Sequence, residues 1–424
     1  MRCKLMMKRV FILITIATLL FSMNLTTGFS SSEVKKPGKS NWILKLEENT
    51  GSGDYRHSVW EVYREPYGKL DRIALHRLVE KDRNSKDKRK VVFMLPGTWQ
   101  AGGWSKIEDP NINPMHFLAK NGYDVYTMEF RTSNIPDMDY DQFSKNSIDI
   151  TATGDWTYGV FREDVKCCVD KIKELSNVHK MFMSGFSRGA TLMFIYANKY
   201  QGDLMGLVSL DGAIKKYPGM GTKYDKQTYD LLVSMLKLGQ LTDPNTNQKY
   251  PLIYGPETGN YDSWKLAGVL PYSKNIVGGP LPEGFETVTD FVAEDAYNMM
   301  GAGMFTNYKD GYIDKSTLIT ALNEFTRYYP SIQTLEDTQL LAYSNVPYLD
   351  YDDKTVTLPA IAFLSNISCP DGKAPDSNIP NLTASEDVTV KYLEGYGHMD
   401  IMYGLKSLKD IKRPLLEWLN SHIR

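Results

Sequence analysis

The pentad Gly185-Phe186-Ser187-Arg188-Gly189 sets a hydroxyl between two residues without side chains. It follows directly on the strand-like run Lys180 to Gly185 (KMFMSG) and directly precedes the helical run Ala190 to Tyr200 (ATLMFIYANKY). A strand-to-helix turn that tight leaves no room for bulk beside the serine, so glycine is needed at both ends. A bare G-x-S-x-G is weak by itself, because chance supplies it readily; its setting between strand and helix carries the reading. The chemistry open to a serine at such a tip is nucleophilic attack on an acyl carbon. The amide of Arg188, at the helix start, would face the oxyanion that forms, and the helix dipole would reinforce it. A second donor is expected in the loop Leu95-Pro96-Gly97-Thr98-Trp99, with the Thr98 amide facing the oxyanion. The plainer alternative for that loop is an ordinary Pro-Gly turn.

A serine hydroxyl is a poor nucleophile near neutral pH and needs a base. In a sheet of this build the histidine follows the last strand, which leaves His398, in Gly395-Tyr396-Gly397-His398-Met399-Asp400, and sets aside His57, His76, His116, His179 and His422 by position. Two glycines before His398 give the backbone freedom to bring an imidazole over the sheet edge. The third member has two contenders. Asp211 ends the run Leu204 to Leu210 (LMGLVSL), and Asp371 lies in the loop beyond Leu358 to Leu364 (LPAIAFL). A Gly-x-x-Asp expected soon after that second strand is replaced by Ser365-Asn366-Ile367-Ser368-Cys369-Pro370, so the reading leans to Asp211, with Asp371 as the alternative and Asp376 behind it. Asp400, two residues after the base, reads as a residue that orders its loop.

These residues need a frame. Trp42 to Glu80 alternates and suggests two strands of an antiparallel edge joined at Pro66-Tyr67-Gly68. A charged turn, Glu80 to Lys90, leads to Val91-Val92-Phe93-Met94-Leu95, a continuous apolar run that predicts a strand buried on both faces of a parallel sheet. Further strands are expected at Tyr123 to Phe130, Lys180 to Gly185, Leu204 to Leu210, Leu358 to Leu364 and Val388 to Leu393. Helices are expected at Asp155 to Leu175, Ala190 to Tyr200 and Leu405 to Ile423, the last with Trp418 on its apolar face. Repeated β-α units argue a mostly parallel sheet with helices on both faces.

From Val91 to Leu210 and again from Leu358 onward, about half of its length, the chain resembles the α/β-hydrolase superfamily, its lipase and esterase branches in particular. Gly397-His398-Met399-Asp400-Ile401 is similar to the histidine motif of the acid lipases, and Pro96-Gly97-Thr98 to the oxyanion loop of lipases that carry proline where many hydrolases have histidine. An acid at Asp211, at the end of the strand after the serine turn, would resemble the arrangement of lipoprotein lipase and platelet-activating-factor acetylhydrolase. The sequence departs from the acid lipases at their usual acid position. The resemblance implies an α/β fold with a large helical lid insertion, organised as a leader (1–30), a first core part (31–212), the insertion (213–356) and a second core part (357–424). It implies acyl transfer through Ser187, His398 and an aspartate, without metal or cofactor.

Within the insertion, helical patterns run from Tyr224 to Leu238, Thr287 to Met300 and Ser316 to Tyr329, between Gly/Pro/Asn-rich loops. Its tyrosines, among them Tyr217, Tyr224, Tyr254, Tyr261, Tyr272, Tyr297, Tyr328 and Tyr329, can either line a pocket for an amphipathic acyl or aryl ester or simply pack the insertion onto the sheet. The expected partner is a small-molecule acyl ester, lipids included. Thioesters, amides and acyl transfer to an alcohol use the same groups, and a hydrolase-fold binding protein without catalysis is the alternative from another class.

Composition narrows the classes further. With 42% hydrophobic and 24% charged residues the chain can bury a core. Arg2, Lys4, Lys8 and Arg9 precede an apolar run from Val10 to Met23, which reads as a secretory signal peptide; the run is shorter than the ~20 residues that span a bilayer, which disfavours the alternative of an N-terminal membrane anchor. Loss of residues 1–30 would move the formal charge from −2 to −6, which gives no electrostatic attraction to nucleic acid or anionic lipid. Three cysteines would remain, Cys167, Cys168 and Cys369; they make no disulfide framework, and the adjacent pair reads as small residues of a helix. No spacing resembles a metal site.

Overall fold

The computed structural model describes residues 41–50, 53–81, 90–98, 100, 102, 107–135, 149–212, 224–242, 249–254, 258–276, 279–324, 328–343, 345–352, 354–365 and 383–423. Among them, nine strands form one sheet: β1 (Ile43–Thr50), β2 (Tyr55–Tyr63), β3 (Arg72–Glu80), β4 (Val91–Leu95), β5 (Asp124–Glu129), β6 (Met181–Phe186), β7 (Leu204–Leu210), β8 (Ala360–Leu364) and β9 (Val388–Tyr392). Their spatial order is β1-β2-β3-β5-β4-β6-β7-β8-β9. The six strands from β5 to β9 run parallel, and β1, β2 and β3 continue the sheet as an antiparallel edge. The edge therefore has one strand more than the alternation predicts. β1 is exposed at nearly every position, so no buried stripe distinguishes it in the sequence.

Period-two alternation explains how β4 fills both sides of the sheet. Val91, Phe93 and Leu95 join one core with Val165, Phe194 and Ala197, whereas Val92 and Met94 join the other with Met115, Phe182 and Trp418. The first core is covered by α2 (Tyr158–Ser176) and α3 (Arg188–Tyr200), and the second by α1 (Pro114–Lys120) and α9 (Arg413–Ser421). α2 starts where Thr157 accepts the Val160 amide and ends at Asn177, whose left-handed backbone turns the chain out of the helix. Cys167 and Cys168 are buried residues of α2, as the sequence suggests. Trp418 of α9 lies against Phe182 with ring centres 5.9 Å apart, and a Cβ at Gly206 of β7 would stand 2.8 Å from the Trp418 ring.

Between β7 and β8 the described chain forms α4 (Lys226–Lys237), α5 (Thr258–Val269), α6 (Val288–Asn298), α7 (Lys315–Leu322) and α8 (Ser331–Ala342). The helix expected from Ser316 to Tyr329 is shorter: it ends at Leu322, and Tyr329–Pro330 pairs antiparallel with Ile253–Tyr254. Trp264, Val288 and Leu318 share the core that holds Met115 and Trp418, and Tyr328 and Leu340 share the opposite one. A small third cluster around Leu232, Leu236 and Ile332 belongs to this segment alone.

Candidate active site

The site grows from the end of β6. Ser187 caps α3 with φ 55° and ψ −125°, a backbone conformation that non-glycine residues rarely take. Its neighbours make that turn possible. A Cβ at Gly185 would stand 2.4 Å from the Ala190 amide nitrogen, and one at Gly189 would stand 2.5 Å from the carbonyl oxygens of Leu95 and Pro96. The Ser187 amide donates to Leu210 O at 3.0 Å, which ties the turn to the end of β7.

The loop after β4 is packed against Ser187: a Cβ at Gly97 would be 3.1 Å from Ser187 Cβ. The amide of Gly97 donates to Gln100 Oε1 at 2.9 Å, the Gln100 amide returns to Gly97 O at 3.3 Å, and Gln100 Nε2 donates to the Tyr403 hydroxyl at 3.3 Å. Gln100 is buried, and it shapes the loop that carries Thr98. Sequence reasoning passed over Gln100, because a glutamine in a loop carries no signal until its partner Tyr403, far along the chain, is known.

Asp211 follows β7 directly and takes a left-handed backbone, φ 49°, while its amide donates to Phe363 O of β8 at 2.8 Å. That turn aims the carboxylate along the sheet edge. Asp211 Oδ2 accepts from His398 Nδ1 at 2.6 Å, Oδ1 accepts the Ser365 amide at 2.6 Å, and the Ser365 hydroxyl donates to Oδ2 as well. Burial alone would push this carboxyl up, but the bonds from His398 and Ser365 outweigh it and hold the pKa below the usual carboxylate value. Asp371 and Asp376 lie outside the described residues.

His398 is held from both sides. Its ring stacks on Phe186, the residue before Ser187, with centres 4.5 Å apart and planes 24° apart, and Phe305 lies 6.3 Å away. The backbone is clamped by the segment after α6: the His398 amide donates to Met304 O at 3.0 Å and the Met399 amide to Phe305 O at 2.8 Å. Asp400 completes the clamp, accepting the amides of Gly397 at 2.7 Å and Asn307 at 2.9 Å and the Thr306 hydroxyl at 2.9 Å. Burial pushes the Asp400 carboxyl up to about 6 in spite of these donors. Gly397 is required here, since a Cβ would stand 2.6 Å from Thr306 Cα.

The imidazole of His398 thus has Nδ1 committed to a buried carboxylate while its ring lies over the residue before Ser187. The groups stand at the carboxyl ends of β6, β7 and β9, beside the loop after β4. The comparison with solved structures follows the same lines. The chain matches a candidate lipase from Sulfolobus solfataricus with a TM-score of 0.66 over 90% of this chain and 99% of that one, at 23% identity. The chain has the α/β-hydrolase fold. At that identity the likeness to other α/β-hydrolases speaks to the fold alone. Lower in similarity stand the Paleococcus ferrophilus monoacylglycerol lipase (TM-score 0.43, 13% identity, 79% and 95% of the two chains) and a soluble variant of the Saccharomyces cerevisiae monoglyceride lipase with a substrate analogue (0.44, 15%, 89% and 94%). No family model and no curated protein matches the sequence.

Proposed function

We propose that this α/β-hydrolase cleaves carboxylic esters, with Ser187 as nucleophile, His398 as base and Asp211 as the acid that orients it. The observation that carries the reading is the short His398–Asp211 hydrogen bond on an imidazole stacked over the residue that precedes Ser187. His398 takes the Ser187 hydroxyl proton through Nε2 as Oγ attacks the ester carbonyl carbon. The resulting oxyanion is held by the amides of Arg188 and Thr98. His398 then passes that proton to the departing alcohol oxygen, and a water, deprotonated by His398 in turn, releases the acid from the acyl-enzyme. Asp211 stays ionised throughout and stabilises the imidazolium; its lowered pKa supports this. Thioesters are open to the same sequence of steps.

The test is initial rates on p-nitrophenyl acetate and butyrate for the protein and for Ser187→Ala and His398→Ala, with fluorophosphonate labelling beside it. Turnover and labelling that vanish in both variants support the reading. Rates no higher than those of Ser187→Ala, without labelling, sink it in favour of a binding protein on the same fold. We also propose export: the basic and apolar run up to Met23 supports a cleaved leader. Product that stays in the cell with residues 1–30 intact would refute export, and a secreted product that retains them would refute cleavage.

A further inference from the structure

A cleft opens beside the serine turn, bounded by Gly97, Thr98 and Arg188 on one side. Because the oxyanion donors line it, a carbonyl held by them has one substituent inside. That substituent is the acyl group, for the leaving alcohol must face His398, and neither His398 nor Phe305 contributes to these walls. What the cleft accepts is therefore a statement about acyl specificity.

Five aromatic residues, Phe130, Phe161, Tyr158, Tyr328 and Tyr329, line the rest of it together with Leu192, Pro330 and the polar Thr132 and Gln333. Phe130 and Phe161 stack on each other at 5.0 Å, and the Arg188 guanidinium lies 4.4 Å from the Tyr329 ring centre and 5.6 Å from that of Tyr158. Arg188 Nη2 donates to Asp337, which also accepts the Tyr158 hydroxyl at 2.7 Å. Arg188 Nη1, by contrast, is buried and finds no hydrogen-bond partner among the described residues. A buried guanidinium N–H left without an acceptor is costly, and a ligand that supplies one recovers that cost.

The charge around Arg188 chooses the kind of acceptor. Its positive charge is already matched by Asp337, and Glu336 stands beside that pair, accepting the Tyr158 amide at 2.7 Å and the Tyr229 hydroxyl at 2.8 Å. A further carboxylate would crowd a third acidic group around one cation. A fatty acyl chain would leave Nη1 as it is. We infer that the cleft selects aryl acyl groups bearing a neutral oxygen acceptor, an ether, hydroxyl or carbonyl, at the end remote from the ester, with Arg188 Nη1 as its donor. The inference rests on the ester-hydrolase reading above and names its substrate class.

The experiment compares p-nitrophenyl 3-(4-methoxyphenyl)propanoate with 3-(4-ethylphenyl)propanoate, which exchanges one oxygen for a methylene, and with 3-(4-carboxyphenyl)propanoate. Expected is a kcat/KM for the methoxy ester at least about tenfold above the ethyl ester, as one hydrogen bond from a charged donor supplies. The carboxy ester should be the poorest of the three. In Arg188→Met combined with Asp337→Asn, which removes the cation together with the carboxylate it pairs with, the methoxy-to-ethyl ratio should fall to about one; a ratio is independent of the fraction folded. Equal rates on the methoxy and ethyl esters, a ratio unchanged in the double variant, or a best rate on the carboxy ester overturns the inference while butyrate hydrolysis still upholds the esterase. Failure on all these esters and on butyrate overturns the esterase reading itself.

Discussion

Gly212 lies so close to Ser187 that a Cβ at 212 would stand 2.1 Å from the Ser187 carbonyl oxygen. The residue after Asp211 thus supports Ser187, and the two strand ends are fitted to each other through a missing side chain. Gly212→Ala should cost at least about 2 kcal/mol of stability, because the contact is with backbone that cannot rotate aside. Urea unfolding measures this; a midpoint equal to the parent's would show that the turn has slack.

The left-handed backbone at Ser187 is itself a burden on folding. Ser187→Gly and Ser187→Ala are both expected to be inactive, yet the glycine variant should be the more stable of the two by roughly 1 kcal/mol. Thermal melts of the pair decide it.

Asp211→Asn should lower kcat by about 10³- to 10⁴-fold, since an amide cannot hold the imidazole tautomer and stabilise its charged form. Asp371→Asn should stay near the parent, and a steep loss there instead would move the acid to the alternative position. Stability carries a second signature. The Asp211 pKa is depressed in the fold, so its contribution is present above about pH 4 and is lost as pH falls through the lower folded value. The melting-point gap between parent and Asp211→Asn should therefore shrink on acidification below that pH.

Asp400 titrates in the opposite sense. Its carboxyl is raised to about 6 in the fold, so between about pH 4 and 6 the unfolded chain ionises first and the fold loses stability as pH rises. The difference in melting temperature, parent minus Asp400→Asn, should fall across that window and level off above it. The same variant should lower kcat roughly 10- to 100-fold by loosening the His398 loop, while fluorophosphonate still reaches Ser187.

Much of this arrangement was legible because local pattern and tertiary role coincide. β4, β6, β7 and β8 are continuous apolar runs, and the glycines around Ser187 announce a turn that only small residues permit. Where local pattern and role diverge, the sequence was silent. α8 buries Gln333, Glu336 and Gln339, so its polar residues face inward and the usual apolar stripe is missing. α5 mixes Gly259, Asn260 and Gly268 into a helix that turns few apolar residues to one side. The choice of Asp211 hinged on Ser365 and His398, both more than 150 positions away, as did the clamp of Asp400 on Thr306 and Asn307, 94 and 93 positions away. Such pairings are set by how strand ends meet, and no short window contains them.

The bonds between Met304, Phe305, Thr306 and Asn307 and the His398 loop have a bearing on how this protein could be re-engineered. A cap that merely rests over a catalytic centre can be exchanged between relatives like a fitting. Here the stretch between β7 and β8 also provides the brace on which the His398 loop is mounted, so a segment transplanted from elsewhere would have to bring a substitute for residues 304–307 or leave the histidine without its footing.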